Sequence, residues 1–129
     1  MRIVIDTNIL VNALKSNDDA AKSVRLIEDV AMGVHEVCLS PDIIHEYADV
    51  LHRPALGIDP VNAEMIIGIL IRHSRIIEPK PSTPDRFEMK DEDDRIFFDV
   101  ARCENAKLIT RNYKDYPVHE LITPIDELY

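Results

Sequence analysis

The spacing of hydrophobic residues along this chain switches repeatedly between strand-like runs and helical periodicity. Ile3, Val4 and Ile5 are β-branched and run into a polar Asp6-Thr7-Asn8 turn, which predicts a short buried strand over Arg2–Ile5. Ile9 to about Lys15 has helical spacing and ends at a polar Ser16-Asn17-Asp18-Asp19 break. Ala20 to Met32 predicts a second helix with Val24, Ile27 and Ala31 on one side, stopped by Gly33. Val37-Cys38-Leu39 predicts the second strand. Ser40-Pro41 then opens a helix, with Ser as N-cap and Pro at the first helical position. That helix should run to about His52 and stop at Arg53-Pro54, because a residue before proline is pushed out of the α region.

Asp59-Pro60 repeats the start signal and predicts a helix to about His73. Arg75-Ile76-Ile77 predicts the third strand, and the three prolines between Pro79 and Met89 predict a loop. A helix from Asp93 or Asp94 to about Glu104 would bury Ile96, Phe97, Val100 and Ala101. Lys107–Thr110 and Val118–Ile122 predict a fourth and a fifth strand. Strands separated by helices imply an α/β architecture, with a mainly parallel sheet of four or five strands covered by helices on both faces. Residues 1–129 suit a single domain, since domains cluster at roughly 100–150 residues.

Charge narrows the function. Fifteen Lys+Arg stand against 24 Asp+Glu, a formal net charge of -9. A broadly basic surface that grips nucleic acid by charge alone is therefore excluded. Phosphate can still be met where carboxylates hold divalent cations, because the cations reverse the local sign. No apolar run approaches the roughly 20 residues of a membrane span, and the opening MRIVIDTNIL has no signal-peptide core. Cys38 and Cys103 are isolated, so the expected setting is a reducing cytoplasm. Both read as small core residues, and the five histidines show no metal spacing.

The acids fall in telling places. Asp6 ends the first predicted strand, Asn112 lies just past the fourth, and Asp91, Asp93 and Asp94 stand where the last helix begins. Glu46 lies on the helix after the second strand, opposite its Ile43–Tyr47–Val50 stripe. In an open α/β sheet, ligands bind in the crevice beyond the carboxyl ends of the strands. Singly, each acid has an ordinary explanation: a helix cap, a solvated helix residue, or favourable placement at a helix N-terminus. Together they suggest an oxygen-lined cation site.

Three stretches, IVIDTNILVNAL, LSPDIIHEYADVLHRP and DEDDRIFFDVARCENAKLITRNYKD, resemble the PIN-domain family, metal-dependent ribonucleases that include many toxins of bacterial toxin–antitoxin pairs. The resemblance implies a three-layer α/β/α sandwich with an acidic site at the carboxyl edge of its sheet. It matches Asp6, Glu46 and Asp94 to catalytic metal-binding acids and Asp91 to a further metal ligand. Asn8, Thr110, Asn112 and Asp115 match supporting polar positions. Where the family often reads T-G-D, this chain has Thr110-Arg111-Asn112, which removes one charge and places Arg111 at the rim.

The resemblance further implies Mg²⁺ or Mn²⁺ as cofactor, RNA as substrate, a small antitoxin protein as partner, and a homodimer. An all-oxygen ligand set suits those hard cations. Arg95, Arg111 and Lys114 are candidate contacts to substrate phosphate, and Tyr113 or Tyr116 could stack one base. The apolar Ile66, Ile67, Leu70 and Ile71 could supply a dimer or antitoxin contact. The alternative is a catalytically weakened PIN-like module that binds RNA or protein. A phospho-acceptor receiver domain would need an acid pair where Asp6 stands alone. A haloacid-dehalogenase-type phosphatase would need an acid in place of Asn8.

Overall fold

A computed structural model describes residues 1–15, 19–84 and 86–129. Its strands are β1 (Arg2–Ile5), β2 (Glu36–Leu39), β3 (Ser74–Ile76), β4 (Lys107–Thr110) and β5 (Ile122–Pro124). Its helices are α1 (Thr7–Lys15), α2 (Ala21–Ala31), α3 (Pro41–Leu51), α4 (Pro60–Arg72), α5 (Arg95–Glu104) and α6 (Ile125–Leu128). All strand pairings are parallel, in the order β3-β2-β1-β4-β5. The chain builds outward from β1 to β3 in one direction, then returns to add β4 and β5 on the other side. The reversal lies between β1 and β4, which is where an open α/β sheet forms its binding crevice.

The central strands are buried on both faces, as a covered parallel sheet requires. Ile3, Val4, Ile5, Val37, Cys38, Leu39, Leu108 and Ile109 are fully buried. Helices α1 to α4 pack on one another, while α5 lies along β1, β2 and β4. The α3 start is as expected: Ser40 Oγ accepts the Ile43 N–H at 3.2 Å and Pro41 occupies the first turn. Asp59 caps α4 in a similar way, accepting the Val61 N–H at 2.8 Å. Tyr47 on α3 is fully buried and its hydroxyl donates to the Ile5 carbonyl, so α3 is tied to the last residue of β1.

Several expectations are corrected. The fifth strand is Ile122–Pro124, not Val118–Ile122, and Val118 is wholly exposed. Pairing of Leu108 with Ile122 sets that register, and a strand pairing on only one side tolerates Pro124. The short α6 that follows was not expected. On α2 the buried face is Ser23, Leu26, Ile27 and Val30, while Val24 and Ala31 are exposed. The same hydrophobic period thus faces inward at a different phase, set by packing against α1 and α4. On α3 the inward stripe ends on Leu51 rather than Val50. Cys103 is exposed on α5, whereas Cys38 lies in the core. The polar break after Lys15 falls on residues outside those described, except Asp19.

Candidate metal and active site

Asp6 is the centre of the site. It follows β1 directly, is buried, and its backbone N–H donates to the Ile109 carbonyl of β4. Three side-chain donors converge on its Oδ2: Thr110 Oγ1 at 2.8 Å, Tyr116 Oη at 2.9 Å and Asn8 Nδ2 at 3.3 Å. Thr110 Oγ1 also accepts from Asn8 Nδ2 at 3.2 Å and from the Asn112 N–H at 3.0 Å. Asn8 Oδ1 in turn accepts the Arg111 N–H at 3.2 Å. This lattice locks the ends of β1 and β4 together around one carboxylate. Burial raises the Asp6 pKa, and the Thr110 and Tyr116 hydroxyls with the N–H groups of Asn8 and Thr7 pull it partly back.

Asp94 reaches the same place from the other end of the chain. A single 3₁₀ turn over Glu92–Asp94 precedes α5, and Asp91 caps it, its Oδ1 accepting the Asp93 N–H at 2.9 Å. The helix begins at Arg95, past the expected Asp93 or Asp94, because this tighter turn takes up the acid run. Asp94 is half-buried and its pKa is pushed up to about 7, first by desolvation and then by the negative charges of Asp6, Asp91, Asp115 and Asp93. Glu46, half-buried on α3, is raised by burial and next by Asp93, with Asp91 a smaller contributor. Asp6, Asp91, Asp94 and Asp115 therefore form one electrostatic neighbourhood, and Glu46 stands at its Asp93 side.

Among the described residues, none of these acids except Asp115 forms an ion pair. Lys90 Nζ lies 3.9 Å from the Asp115 carboxylate. No group of three or more His, Cys, Asp or Glu among the described residues is arranged to hold a metal ion in common. The donor chemistry nevertheless fits a hard divalent cation: oxygen atoms, partly desolvated, at the mouth of the switch-point crevice, repelling one another. Asp6, Asp94, Asp91 and Glu46 are the residues that would hold it. They are carried on three separate segments: the end of β1, the helix α3 and the turn before α5.

The remaining candidates divide. Arg111 and Lys114 are exposed near the rim, although Arg111 Nη2 contacts Asp19 at 2.9 Å. The exposed Asn112 side chain stands beside them. Arg95 is placed elsewhere. Only 9% exposed, it donates to Glu92 at 2.6 Å, to Ser82 Oγ at 2.8 Å and to the Phe87 carbonyl at 2.7 Å. Its guanidinium fastens Ser82 and Phe87 to the start of α5, which occupies it in structure. Tyr113 remains exposed, but Tyr116 is buried and bound to Asp6, so it cannot stack a base. Sequence reasoning named Tyr116 and Asp93 but missed what they do: Tyr116 holds the Asp6 carboxylate, and Asp93 is the charged neighbour of Glu46. Tyr116 lies in an irregular segment where no periodicity marks it, and Asp93 was hidden within a run of four acids.

The fold and site together define a parallel α/β/α protein with carboxylates gathered at its topological switch point. Residues 2–114 match the family model described as PIN domain, and the chain belongs to that family. Among solved structures it is similar to a chain in the crystal structure of VapBC2 from Rickettsia felis bound to a DNA fragment from their promoter. The TM-score is 0.56 at 19% identity, over 88% of this chain and 90% of that one. No curated protein matches the chain at comparable strength.

Proposed function

We propose that this PIN-domain protein is a metal-dependent endoribonuclease and the toxin of a toxin–antitoxin pair. The observation that carries this reading is the gathering of Asp6 and Asp94, with Asp91 and Asp115, at the β1–β4 switch point without compensating Lys or Arg on the first three. Two carboxylates about 4 Å apart repel by roughly 4 kcal/mol at an effective dielectric of 20. Such a cluster is a poor fold stabiliser and a good cation trap. When bound, Mg²⁺ or Mn²⁺ would lower the pKa of a water and neutralise charge developing on the phosphate.

The chain's own residues supply the rest. Thr110, Tyr116 and Asn8 fix the Asp6 carboxylate, and the Tyr47 hydroxyl holds the α3 helix that carries Glu46. Arg111 and Lys114 stand where a substrate phosphate would approach. Water attacks phosphorus and the bond to the 3′ oxygen breaks, leaving a 5′-phosphate and a 3′-hydroxyl. A small antitoxin partner is supported by the likeness to a VapBC2 chain. It is also supported by an apolar groove of about 200 Å³ between α1, α2 and α4 that includes Leu14, Val24, Ile27 and Met65. On α4, Val61, Met65 and Ile71 are exposed, while Ile66 and Leu70 are buried in the core. A homodimer would use part of the same apolar surface. Among the described residues, no helix is long and apolar enough to cross a membrane.

The test is cleavage of single-stranded RNA by purified protein with Mg²⁺ or Mn²⁺, beside Asp6→Asn. Wild type should cut and the variant should lose at least about 100-fold, the scale of removing a principal electrostatic group. Asn112 in the place of an acid favours a second reading as a binding module. Metal-independent RNA binding without cleavage would select it.

A further inference from the structure

Of the five histidines only His35, between α2 and β2, is buried, at 7% exposed. Its Nε2 lies 3.1 Å from Tyr129 Oη, and the same hydroxyl bonds Asp29 Oδ2. Its Nδ1 is buried and has no hydrogen-bond partner. Arg25 of α2 lies over the Tyr129 ring, 4.7 Å from its centroid, and the Tyr129 N–H donates to the Ile125 carbonyl at 3.1 Å. These contacts tie the end of α6 to α2 and to the entry of β2.

The positions of the protons follow from chemistry. A tyrosine hydroxyl carries one hydrogen and a carboxylate only accepts, so that hydrogen points to Asp29. Burial and the neighbouring Asp29 carboxylate raise the Tyr129 phenol, which keeps its proton. Toward His35 the phenol oxygen is therefore an acceptor. His35 Nε2 must donate to it, which places the ring's hydrogen on Nε2 and leaves Nδ1 as a bare lone pair. A second proton has only Nδ1 to occupy, where the new N–H would be buried without an acceptor.

The surrounding charges come from three elements. The Met1 amino group opposes a positive ring and Asp29 favours one, but burial acts most, and the His35 pKa is lowered. Arg25 is stacked on Tyr129, and Glu36, next in the chain, is 3.2 Å from Arg2. Lys22 and Asp126, 2.7 Å apart, join α2 to α6 through a separate ion pair. Because the folded ring resists the proton, its contribution is present above the ordinary histidine value and lost as pH falls below it. Ile125 is buried and anchors the start of α6, so only the end of that helix is free to leave.

We propose that His35, Tyr129 and Asp29 form a pH-sensitive clasp, closed while His35 is neutral, which protonation at His35 Nδ1 opens to release the end of α6 from α2. The clasp uses no residue of the carboxylate site and does not depend on the nuclease reading.

Isotope-labelled protein is followed by NMR from about pH 8 to about pH 5, which spans the ordinary histidine value. At the upper end His35 should show the Nε2–H tautomer. As pH falls, the Leu128 and Tyr129 amide resonances should move, with the midpoint of the His35 ring, to the positions they hold in Tyr129→Phe. His35→Gln keeps a donor for the Tyr129 oxygen but takes no proton, and should hold the closed positions throughout. Asp94 titrates in the same range, but it lies at the opposite end of the sheet and is retained in His35→Gln. An Nδ1–H tautomer, amides that stay still while His35 titrates, or the same movement in His35→Gln each overturn the clasp. Movement away from the Tyr129→Phe positions also overturns it, since protonated His35 would then have captured Asp29. If His35→Gln does not fold, the tautomer and the shared midpoint in wild type still decide.

Discussion

The two ends of the sheet treat carboxylates in opposite ways. At the amino ends of the strands, Arg2 lies 3.2 Å from Glu36 and 3.7 Å from Glu104, and Arg75 lies 2.9 Å from Glu104. Both of these acids have a cation. At the carboxyl ends, Asp6, Asp91 and Asp94 have none among the described residues; burial pushes Asp6 toward neutrality, and burial followed by the charges of Asp6, Asp91 and Asp115 does the same to Asp94. A chain carrying nine excess negative charges distributes its scarce cations selectively. The charge left uncompensated lies where the strand order reverses, which is where the proposed cation site would lie.

The largest test of that contrast is metal itself. Mg²⁺ or Mn²⁺ at a hundred times its dissociation constant should add about 2.7 kcal/mol of stability, a rise in melting temperature on the order of 10 °C for a domain of this size. A Tm indifferent to millimolar metal would erase the distinction between the two ends.

Acidity should act on the metal-free protein in the direction of the raised acids. Asp94 has a folded pKa of about 7 against an ordinary 3.8, so the folded state holds more protons between those values. The destabilisation is complete above about pH 7 and is relieved as pH falls toward 4, with Asp6 acting in the same sense. Melts in chelator should therefore give a Tm several degrees higher at pH 5.5 than at pH 8. Asp94→Asn should flatten that slope, and an unchanged slope in the variant would assign the effect to other groups. Metal affinity should move oppositely, weakening below pH 7 because the ion needs the ionised carboxylates.

Substitutions at the two ends should differ in sign. In metal-free protein, Asp94→Asn removes a repelled charge and should stabilise by about 1 kcal/mol. Glu104→Gln removes the shared partner of Arg2 and Arg75 and should destabilise by about 0.5–1 kcal/mol, since both arginines are half-exposed. Matching signs in denaturant melts would show that the two ends are not electrostatically distinct. An effect of the same order is expected of Tyr116→Phe, which deletes one of three donors to Asp6 Oδ2. Roughly 1 kcal/mol should go, seen as a metal titration midpoint displaced to higher concentration. An unmoved midpoint would leave Tyr116 as mere packing.

Local signals made much of this molecule legible. The β-branched run Ile3–Ile5, the Ser40-Pro41 and Asp59-Pro60 starts and the apolar face of α5 each encode their element within a few residues. Asp6, Glu46 and Asp94 could be singled out because they sit at ends and faces that such local signals define. Val118, Val24 and Cys103 were misplaced for the opposite reason. Strand register and helix phase depend on neighbours far away in sequence, and a period shows that one face is buried without showing which.

What the amino-acid order determined by itself is the inventory: alternating elements, an excess of acid, and carboxylates stationed at strand and helix ends. What only the folded chain decided is the company they keep. Thr110 and Tyr116 come within hydrogen-bonding distance of Asp6 from over a hundred residues away. Arg95 turns inward to a loop, and Asp93 becomes the charged neighbour of Glu46. The physical reason is range. Propensity and capping act over one helical turn, whereas desolvation and Coulomb repulsion act through space between groups that the sheet brings together.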